Sequence, residues 1–152
     1  LNPVLFYTGK ISGYITWLVF PLSFLGILNF ADHPMVFLKY ISYALIAFGL
    51  IVTTVSLINL GRSTRVGLPA EETTLKTSGL YKISRNPIYV GLNCFTLAAM
   101  LFSLNAIVMA LGLYSIVIHH FIILGEETFL ENRFGKEYMD YKGRVRRYIG
   151  RQ

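Results

Sequence analysis

Charged residues are scarce in this 152-residue chain, at 14% of the sequence against about 25% in an ordinary soluble domain. Three long stretches, residues 11–31, 40–61 and 86–125, contain no Asp, Glu, Lys or Arg at all. A membrane-spanning helix needs about 20 mostly apolar residues. The first two stretches therefore each have the length of one span, and the third, with 40 residues, has the length of two. This pattern excludes a soluble globular domain and a disordered chain.

Cysteine is almost absent, since Cys94 is the only one and lies inside the third apolar stretch. A disulfide-stabilised secreted module is therefore excluded. The length fits a single domain, and the sequence shows neither an internal repeat nor a low-complexity segment. We interpret residues 1–152 as one integral-membrane domain.

Four transmembrane helices are expected, at about residues 11–30, 35–60, 87–103 and 106–125. Pro21 predicts a kink in the first helix, because neighbouring helices compensate for a proline in lipid. The stretch Ser103-Leu104-Asn105 is the polar interruption available for a hairpin between the third and fourth helices. The fourth helix continues to about Phe134, and an amphipathic tail follows Gly135. The predicted fold class is all-α, a polytopic integral membrane protein with an amphipathic cytoplasmic tail.

The distribution of basic residues decides the number of spans. With four spans, 13 of the 14 Lys and Arg residues share one side, in the N-terminus, the loop of residues 61–86 and the tail, and only Lys39 lies opposite. The positive-inside rule makes that side the cytoplasm, in an inner membrane or an endomembrane. The net charge of +6 is explained by attraction to anionic lipid. Nucleic-acid binding is not expected, because it needs a basic face on a soluble domain.

Two polar clusters concentrate at the predicted cytoplasmic interface. Residues 79–91 read Gly-Leu-Tyr-Lys-Ile-Ser-Arg-Asn-Pro-Ile-Tyr-Val-Gly, and the second cluster begins at Gly125 with Glu126-Glu127 and continues to Tyr141. Taken alone, adjacent glutamates are typical of the point where a helix leaves the membrane. The basic residues of the first cluster are, in the same way, typical of positive-inside flanks.

Together the clusters resemble the isoprenylcysteine carboxyl methyltransferase family, which is related to the integral-membrane phospholipid methyltransferases. The resemblance covers about residues 59–148 and rests on Gly-Leu-Tyr, Ser-Arg-Asn-Pro-Ile-Tyr-Val-Gly, a helical hairpin, Glu-Glu-x-x-Leu and Phe-Gly-x-x-Tyr-x-x-Tyr. Asn86 stands where the family often has His, and residues 145–150 read Val-Arg-Arg-Tyr-Ile-Gly where it often has Val-Pro-Arg-x-Ile-Pro. The resemblance implies a membrane enzyme that uses S-adenosylmethionine, held at the cytosolic face by residues 79–91 and 119–148.

The residue types in these clusters suit that cofactor, which carries an ammonium, a carboxylate, a sulfonium and an adenosine. Glu126 is our candidate partner for the ammonium, and Arg85 suits the carboxylate through a two-pronged hydrogen bond. Aromatic faces attract a sulfonium cation. The cofactor-binding residues that we expect are Tyr81, Arg85, Asn86, Pro87, Tyr89, His119, Glu126, Tyr138 and Tyr141.

The resemblance also implies a lipophilic methyl acceptor, either a prenylated carboxylate of the isoprenylcysteine type or, as the alternative, a phospholipid amine. A carboxylate needs no base, whereas an amine must lose a proton, and Glu127 is the obvious base. The candidate catalytic residues are Glu127, with Arg133 and Arg144 as weaker candidates. Which glutamate binds the cofactor and which faces the acceptor stays open. We expect the acceptor to enter sideways from the membrane lipid and the cofactor to enter from the cytosol.

Two other function classes are compatible with the sequence. One is an NADPH-dependent membrane reductase, because sterol reductases resemble this family in their C-terminal half, and the other is a non-catalytic membrane protein. No metal site is expected, because His119 and His120 have no Cys or further His nearby. His119 itself suits either the ligand pocket or a hydrogen bond between helices.

The four-span topology predicts that reporter fusions after Arg151 and within Asp32–Pro34 report opposite compartments, with the Arg151 fusion in the cytoplasm. The reason is the separation of 13 basic residues from one by the positive-inside rule. Two fusions that report the same side would contradict the model of four spans.

Overall fold

The computed structural model of the chain describes residues 2–29, 35–61 and 74–151. Its helices are α1 Pro3–Trp17, α2 Val19–Phe24, α3 Val36–Leu60, α4 Pro87–Ser103, α5 Ala106–Phe134 and α6 Lys136–Lys142, with a 3-10 turn at Gly79–Lys82. No strand occurs in the described ranges, where Val145 and Arg151 form only an isolated bridge. The predicted all-α class is therefore confirmed for this part of the chain. The predicted connection at residues 31–34 and residues 62–73 of the predicted loop lie outside it.

Two helices are long and apolar enough to cross a membrane. These are α3, with 25 residues, and α5, with 29, and each contains a window of mean hydropathy 2.2. The shorter α4 is also apolar. Many large apolar side chains of α3 and α5 are exposed, among them Ile58 and Ile107, whereas the core helix of a soluble protein buries such groups. The two helices indicate a membrane protein.

The first helix differs from its predicted bounds of about 11–30, which are wrong at both ends. The helix begins at Pro3, where the Asn2 side chain accepts a hydrogen bond from the Val4 amide at 2.8 Å, and α2 ends at Phe24. The uncharged stretch that set the predicted start begins only after Lys10, but a helix can continue through one charged residue. The helix is interrupted at Leu18, three residues before the kink predicted at Pro21. Pro21 has no N–H for the carbonyl four residues earlier.

The other predicted helices are confirmed to within a residue at 36–60, 87–103 and 106–134. The predicted hairpin is also present between α4 and α5. Leu104 takes the left-handed conformation, and the Asn105 side chain caps α5 by accepting from the Ile107 amide at 2.9 Å. The two helices therefore run in opposite directions.

Helix α1 packs along α5 through small residues. Gly9 lies directly against Ile118, and Gly13 lies against Ser115, so α1 and α5 also run in opposite directions. The Ser12 hydroxyl donates to the Leu111 carbonyl at 2.7 Å. Small residues of this kind let helix backbones approach closely in lipid, where no hydrophobic force drives helices together.

The tail folds back onto the segment before α4. Tyr138, Tyr141 and Val145 are buried together, which confirms the amphipathic character predicted for the tail. The Arg85 amide donates to the Arg146 carbonyl at 3.1 Å, and the Gly150 amide donates to the Ile83 carbonyl at 2.8 Å. The tail thus places its own side chains beside the two polar clusters.

The contact between α3 and α4 should be sensitive to substitution of Gly91. A Cβ added at Gly91 lies 2.9 Å from the Gly49 carbonyl oxygen, whereas one added at Gly125 of α5 meets nothing within 4 Å. Gly91→Ala should destabilise the protein by about 1–3 kcal/mol through overpacking. Gly125→Ala should be neutral or stabilise it by up to about 1 kcal/mol through helix propensity. Unfolding midpoints in one detergent test this pair, and equal shifts of the same sign would refute the close contact.

Candidate active site

Glu127 lies where α5, the segment before α4 and the tail meet. The residue is 4% exposed. Arg147 of the tail donates from Nη2 and Nε to Oε2 at 3.0 and 3.1 Å. Asn86 donates from Nδ2 to Oε1 at 3.0 Å, and Arg85 Nη2 lies 3.3 Å from the same oxygen. We refer to Glu127, Arg85, Asn86 and Arg147 as the Glu127 cluster.

The contacts of the Glu127 cluster hold three distant parts of the chain together. A buried charge is tolerated when it is paired and hydrogen-bonded, and here one carboxylate faces two guanidinium groups. The hydrogen bonds to Glu127 raise the pKa of Arg147 above its ordinary value, so its guanidinium stays charged. Because Glu127 is buried and already accepts from several side chains, this geometry suits a positioning residue better than the base suggested by the sequence.

Two of the three guanidinium nitrogens of Arg85 are left without a hydrogen-bond partner in the described part of the chain. Its side chain is 7% exposed, and among the described residues Nε and Nη1 have no hydrogen-bond partner, as is also true of the Tyr138 hydroxyl. Burial, and next the charge of Glu127, raise the pKa of Tyr138 to about 12, so this hydroxyl remains a donor. Leaving such a buried donor unpaired costs about 1–3 kcal/mol. These donors suit an anionic oxygen of a ligand.

The neighbouring glutamate has the opposite environment. Successive helix residues point about 100° apart, and Glu126 is exposed while Glu127 is buried. The Tyr89 hydroxyl donates to Glu126 Oε1 at 2.7 Å. Burial, and next the charge of Glu126, raise the pKa of Tyr81 to about 12, so Tyr81 is a neutral neighbour of this carboxylate. Burial raises the pKa of the Glu126 carboxyl group above its ordinary value, although the residue as a whole is the more exposed of the pair. This carboxylate suits a cationic group.

Polar side chains continue from Glu126 toward the apolar part of the helices. His119 is buried, its Nδ1 lies 3.0 Å from Asn93 Oδ1 on α4, and its ring meets the Tyr89 ring edge-on at 5.6 Å. His119 therefore makes the hydrogen bond between helices that was one of its two expected roles. Lys10 of α1 interacts electrostatically with both His119 and Glu126. We refer to Lys10, Tyr89, Asn93, His119 and Glu126 as the three-helix polar cluster.

The remaining predicted residues lie around these two clusters. Pro87 is the buried first residue of α4, and the Tyr141 hydroxyl donates to the Tyr81 carbonyl at 2.6 Å. Arg133 is exposed at the end of α5, 5.9 Å from the Phe134 ring, and Arg144 is exposed and donates to the Asp140 carbonyl. Those contacts bring neither arginine to the glutamates. No group of three His, Cys, Asp or Glu side chains that suits a metal occurs in residues 2–29, 35–61 and 74–151.

Three residues of the clusters were not anticipated as functional from the sequence. Arg147 lies in the part of the tail that departs from the family pattern. The sequence does not show whether Arg146 or Arg147 is the one that pairs with Glu127. Asn93 is one polar residue in an apolar run. Lys10 appears in the sequence as an ordinary basic flank, although the 21 uncharged residues that follow it mark it as the last charge before lipid.

Comparison with known proteins gives two findings. A family model described as phospholipid methyltransferase matches residues 37–137. A protein of Haemophilus influenzae described as uncharacterized is 38% identical over 63 residues, which cover 41% of this chain and 100% of that protein. The range matched by the family model includes both glutamates and Arg85. It leaves out α1 and the tail from Tyr138 onward.

Glu127→Gln should destabilise the protein by about 3–5 kcal/mol, because Arg85 and Arg147 would lose a buried counter-charge. The tail should also become accessible to trypsin. The matched control is Glu131→Gln, since Glu131 pairs with Lys142 and both side chains are partly exposed, so its loss should cost at most about 1 kcal/mol. Unfolding midpoints and tail cleavage rates in detergent measure both. Equal effects of the two substitutions would show that the Glu127 cluster does not hold the tail.

Proposed function

Because the chain belongs to the phospholipid methyltransferase family, which is related to the isoprenylcysteine carboxyl methyltransferases, we propose that it transfers a methyl group from S-adenosylmethionine to a lipophilic acceptor. The observation that carries this proposal is the division between two adjacent glutamates. Glu127 is buried and paired with two arginines, whereas Glu126 is exposed beside Tyr89. One carboxylate holds the site together, and the other is free to bind a ligand.

The residues present fit the charged groups of the cofactor. Glu126 suits the ammonium, and the unpaired donors of Arg85 and Tyr138 suit the carboxylate. The rings of Tyr89 and His119, which meet at 5.6 Å, offer aromatic surface to a sulfonium. When bound, S-adenosylmethionine supplies an electrophilic methyl group. Tyr81, Asn86, Pro87 and Tyr141 belong to this proposal as residues that shape and cover the site.

The chain contributes mainly alignment and exclusion of water, which dominate an in-line displacement. Tyr89 orients Glu126 through its hydroxyl. The Glu127 cluster fixes Arg85 and draws the tail over the segment before α4. A second contact holds the end of the tail against α5, because the His120 Nδ1 lies 2.6 Å from the Tyr148 hydroxyl.

For the acceptor we propose a carboxylate of the isoprenylcysteine type. A carboxylate oxygen accepts a methyl group without a base, and the buried Glu127 is not placed to act as one. A phospholipid amine is the second candidate, favoured by the description of the matching family model, and Glu126 would then be the accessible base. The family match favours either reaction over nicotinamide-dependent reduction and over a non-catalytic role.

We further propose that one membrane domain carries this activity through four spans, with both termini in the cytoplasm. Helix α4 has 17 residues, a length of about 26 Å, and residues 3–24 together reach about 33 Å, so both come close to the hydrocarbon thickness of about 30 Å. The acceptor then enters sideways from the bilayer with its apolar chain between helices. The cofactor enters from the cytosol, and Arg133 and Arg144 lie at the surface beside anionic headgroups.

Glu126→Gln should weaken the binding of S-adenosylmethionine by about tenfold or more, because an ammonium in the site would lose its counter-charge. Tyr89→Phe should weaken it by a few fold, since only the orienting hydrogen bond is lost. Glu137→Gln, on the exposed side of α6, is the control for loss of one negative charge. The measurement is equilibrium binding of S-adenosylmethionine and of NADPH to the purified protein in neutral detergent.

Two outcomes would overturn the proposed function. Unchanged affinity in a folded Glu126→Gln variant would make Glu126 an interfacial flank. Binding of NADPH in place of S-adenosylmethionine by the unmodified protein would assign it to the reductases.

A further inference from the structure

Lys10 belongs to the three-helix polar cluster although α1 lies outside the residues that the family model matches. Trp17 of α1 donates from Nε1 to Thr96 Oγ1 of α4 at 2.9 Å. Both helices run opposite to α5 and hence parallel to each other. Residues seven apart share a helix face, so Lys10 is two turns before Trp17, as Tyr89 is two turns before Thr96. Lys10 is therefore level with Tyr89.

Packing of α1 against α5 also places Lys10 near the level of His119. Its neighbour Gly9 lies against Ile118, which precedes His119 by one residue and Glu126 by eight, a rise of about 12 Å. The Lys10 Nζ lies 4.3 Å from the centroid of the Phe6 ring, one turn earlier on α1. The side chain thus points from the level of His119 toward the end of the site where Glu126 lies, and it interacts electrostatically with both residues.

Within residues 2–29, 35–61 and 74–151, no carboxylate neutralises the Lys10 ammonium by direct contact. The ion pairs of the described residues join Arg85 and Arg147 to Glu127 and Lys142 to Glu131, and none includes Lys10. A lysine level with an apolar stretch of α5 is costly unless something pairs with it, and such residues mark substrate or ion sites in membrane proteins. The cation of Lys10 and the anion of Glu126 therefore belong to one cluster without forming a direct ion pair with each other.

We propose that Lys10 binds the anionic oxygen of the lipophilic acceptor, a phosphodiester or a carboxylate, and so places the acceptor head beside Tyr89 and Glu126. This inference rests on the proposed function, because it takes the acceptor to be an amphiphile. The outer side chains of α1, Ile11 and Tyr14 among them, are exposed, so an amphiphile in the bilayer reaches Lys10 from the side. The tail and the 3-10 turn cover the other side of the site, which we assigned to the cofactor.

The experiment compares Lys10→Gln and Lys10→Arg with Lys39→Gln, which removes a lysine near the start of α3. Calorimetric titration in neutral detergent measures the binding of hexadecyl methyl phosphate, which is a phosphodiester, of palmitate and of hexadecanol, three probes with chains of equal length. We expect Lys10→Gln to weaken binding of the preferred anionic probe by about tenfold or more and to leave hexadecanol unchanged. Lys10→Arg should bind that probe within about threefold of the unmodified protein, and Lys39→Gln should bind it normally. The anionic probe bound more tightly identifies the phosphodiester or the carboxylate as the acceptor's anion.

Binding of S-adenosylmethionine to the same variants separates this inference from the proposed function. Equal affinity in Lys10→Gln and the unmodified protein supports a role toward the acceptor. A loss of cofactor affinity in Lys10→Gln as large as the loss for the anionic probe would overturn the inference and make Lys10 a cofactor residue, and unchanged binding of both anionic probes would overturn it as well. Absence of S-adenosylmethionine binding by the unmodified protein, with Lys10-dependent binding of the preferred anionic probe intact, would overturn the proposed function alone.

Discussion

The ion pairs of Glu127 with Arg85 and Arg147 are the contacts on which the site depends. They join residues 20 and more than 40 positions apart in sequence and bury a carboxylate that water would otherwise hydrate. A buried pair of this kind adds little net stability compared with an apolar core, because desolvation offsets the attraction. Its value lies in specificity, since any arrangement of the tail that separates the charges leaves one of them buried and alone.

The same constraint explains how two neighbouring glutamates come to have different surroundings. A rotation of about 100° between successive helix residues turns Glu127 toward the tail and Glu126 toward α4 and α1. Tyr89 is then the only side chain that hydrogen-bonds Glu126 in the described part of the chain, so most of that carboxylate remains available. The proposed binding of S-adenosylmethionine needs both environments, a buried one that holds the segments together and an exposed one that binds the ligand.

The polar side chains of α1, α4 and α5 are notable because they lie among apolar helices. In water, a lysine near an asparagine, a histidine and a tyrosine would be unremarkable surface chemistry, whereas beside apolar helices each such group needs a partner. His119 and Asn93 provide partners for each other, and Lys10 contacts an aromatic ring. The close packing of Gly9 and Gly13 on α5 places Lys10 of α1 near His119 and Glu126.

The sequence by itself predicted those features that are properties of short segments. These are the apolar stretches, the asymmetry of basic residues, the hairpin at Leu104 and Asn105, and the motif around Arg85 and the glutamates. The bounds of three helices and most of the candidate site residues followed from them. Only the tertiary structure decided that Glu127 is buried and Glu126 exposed, that Arg147 pairs with Glu127, and that Lys10 belongs to the three-helix polar cluster. The start of α1 was also beyond the hydropathy pattern, since the Asn2 cap and Pro3 extend the helix across Lys10. Ion pairing and burial depend on which distant segments meet, and no local pattern in one sequence specifies that meeting.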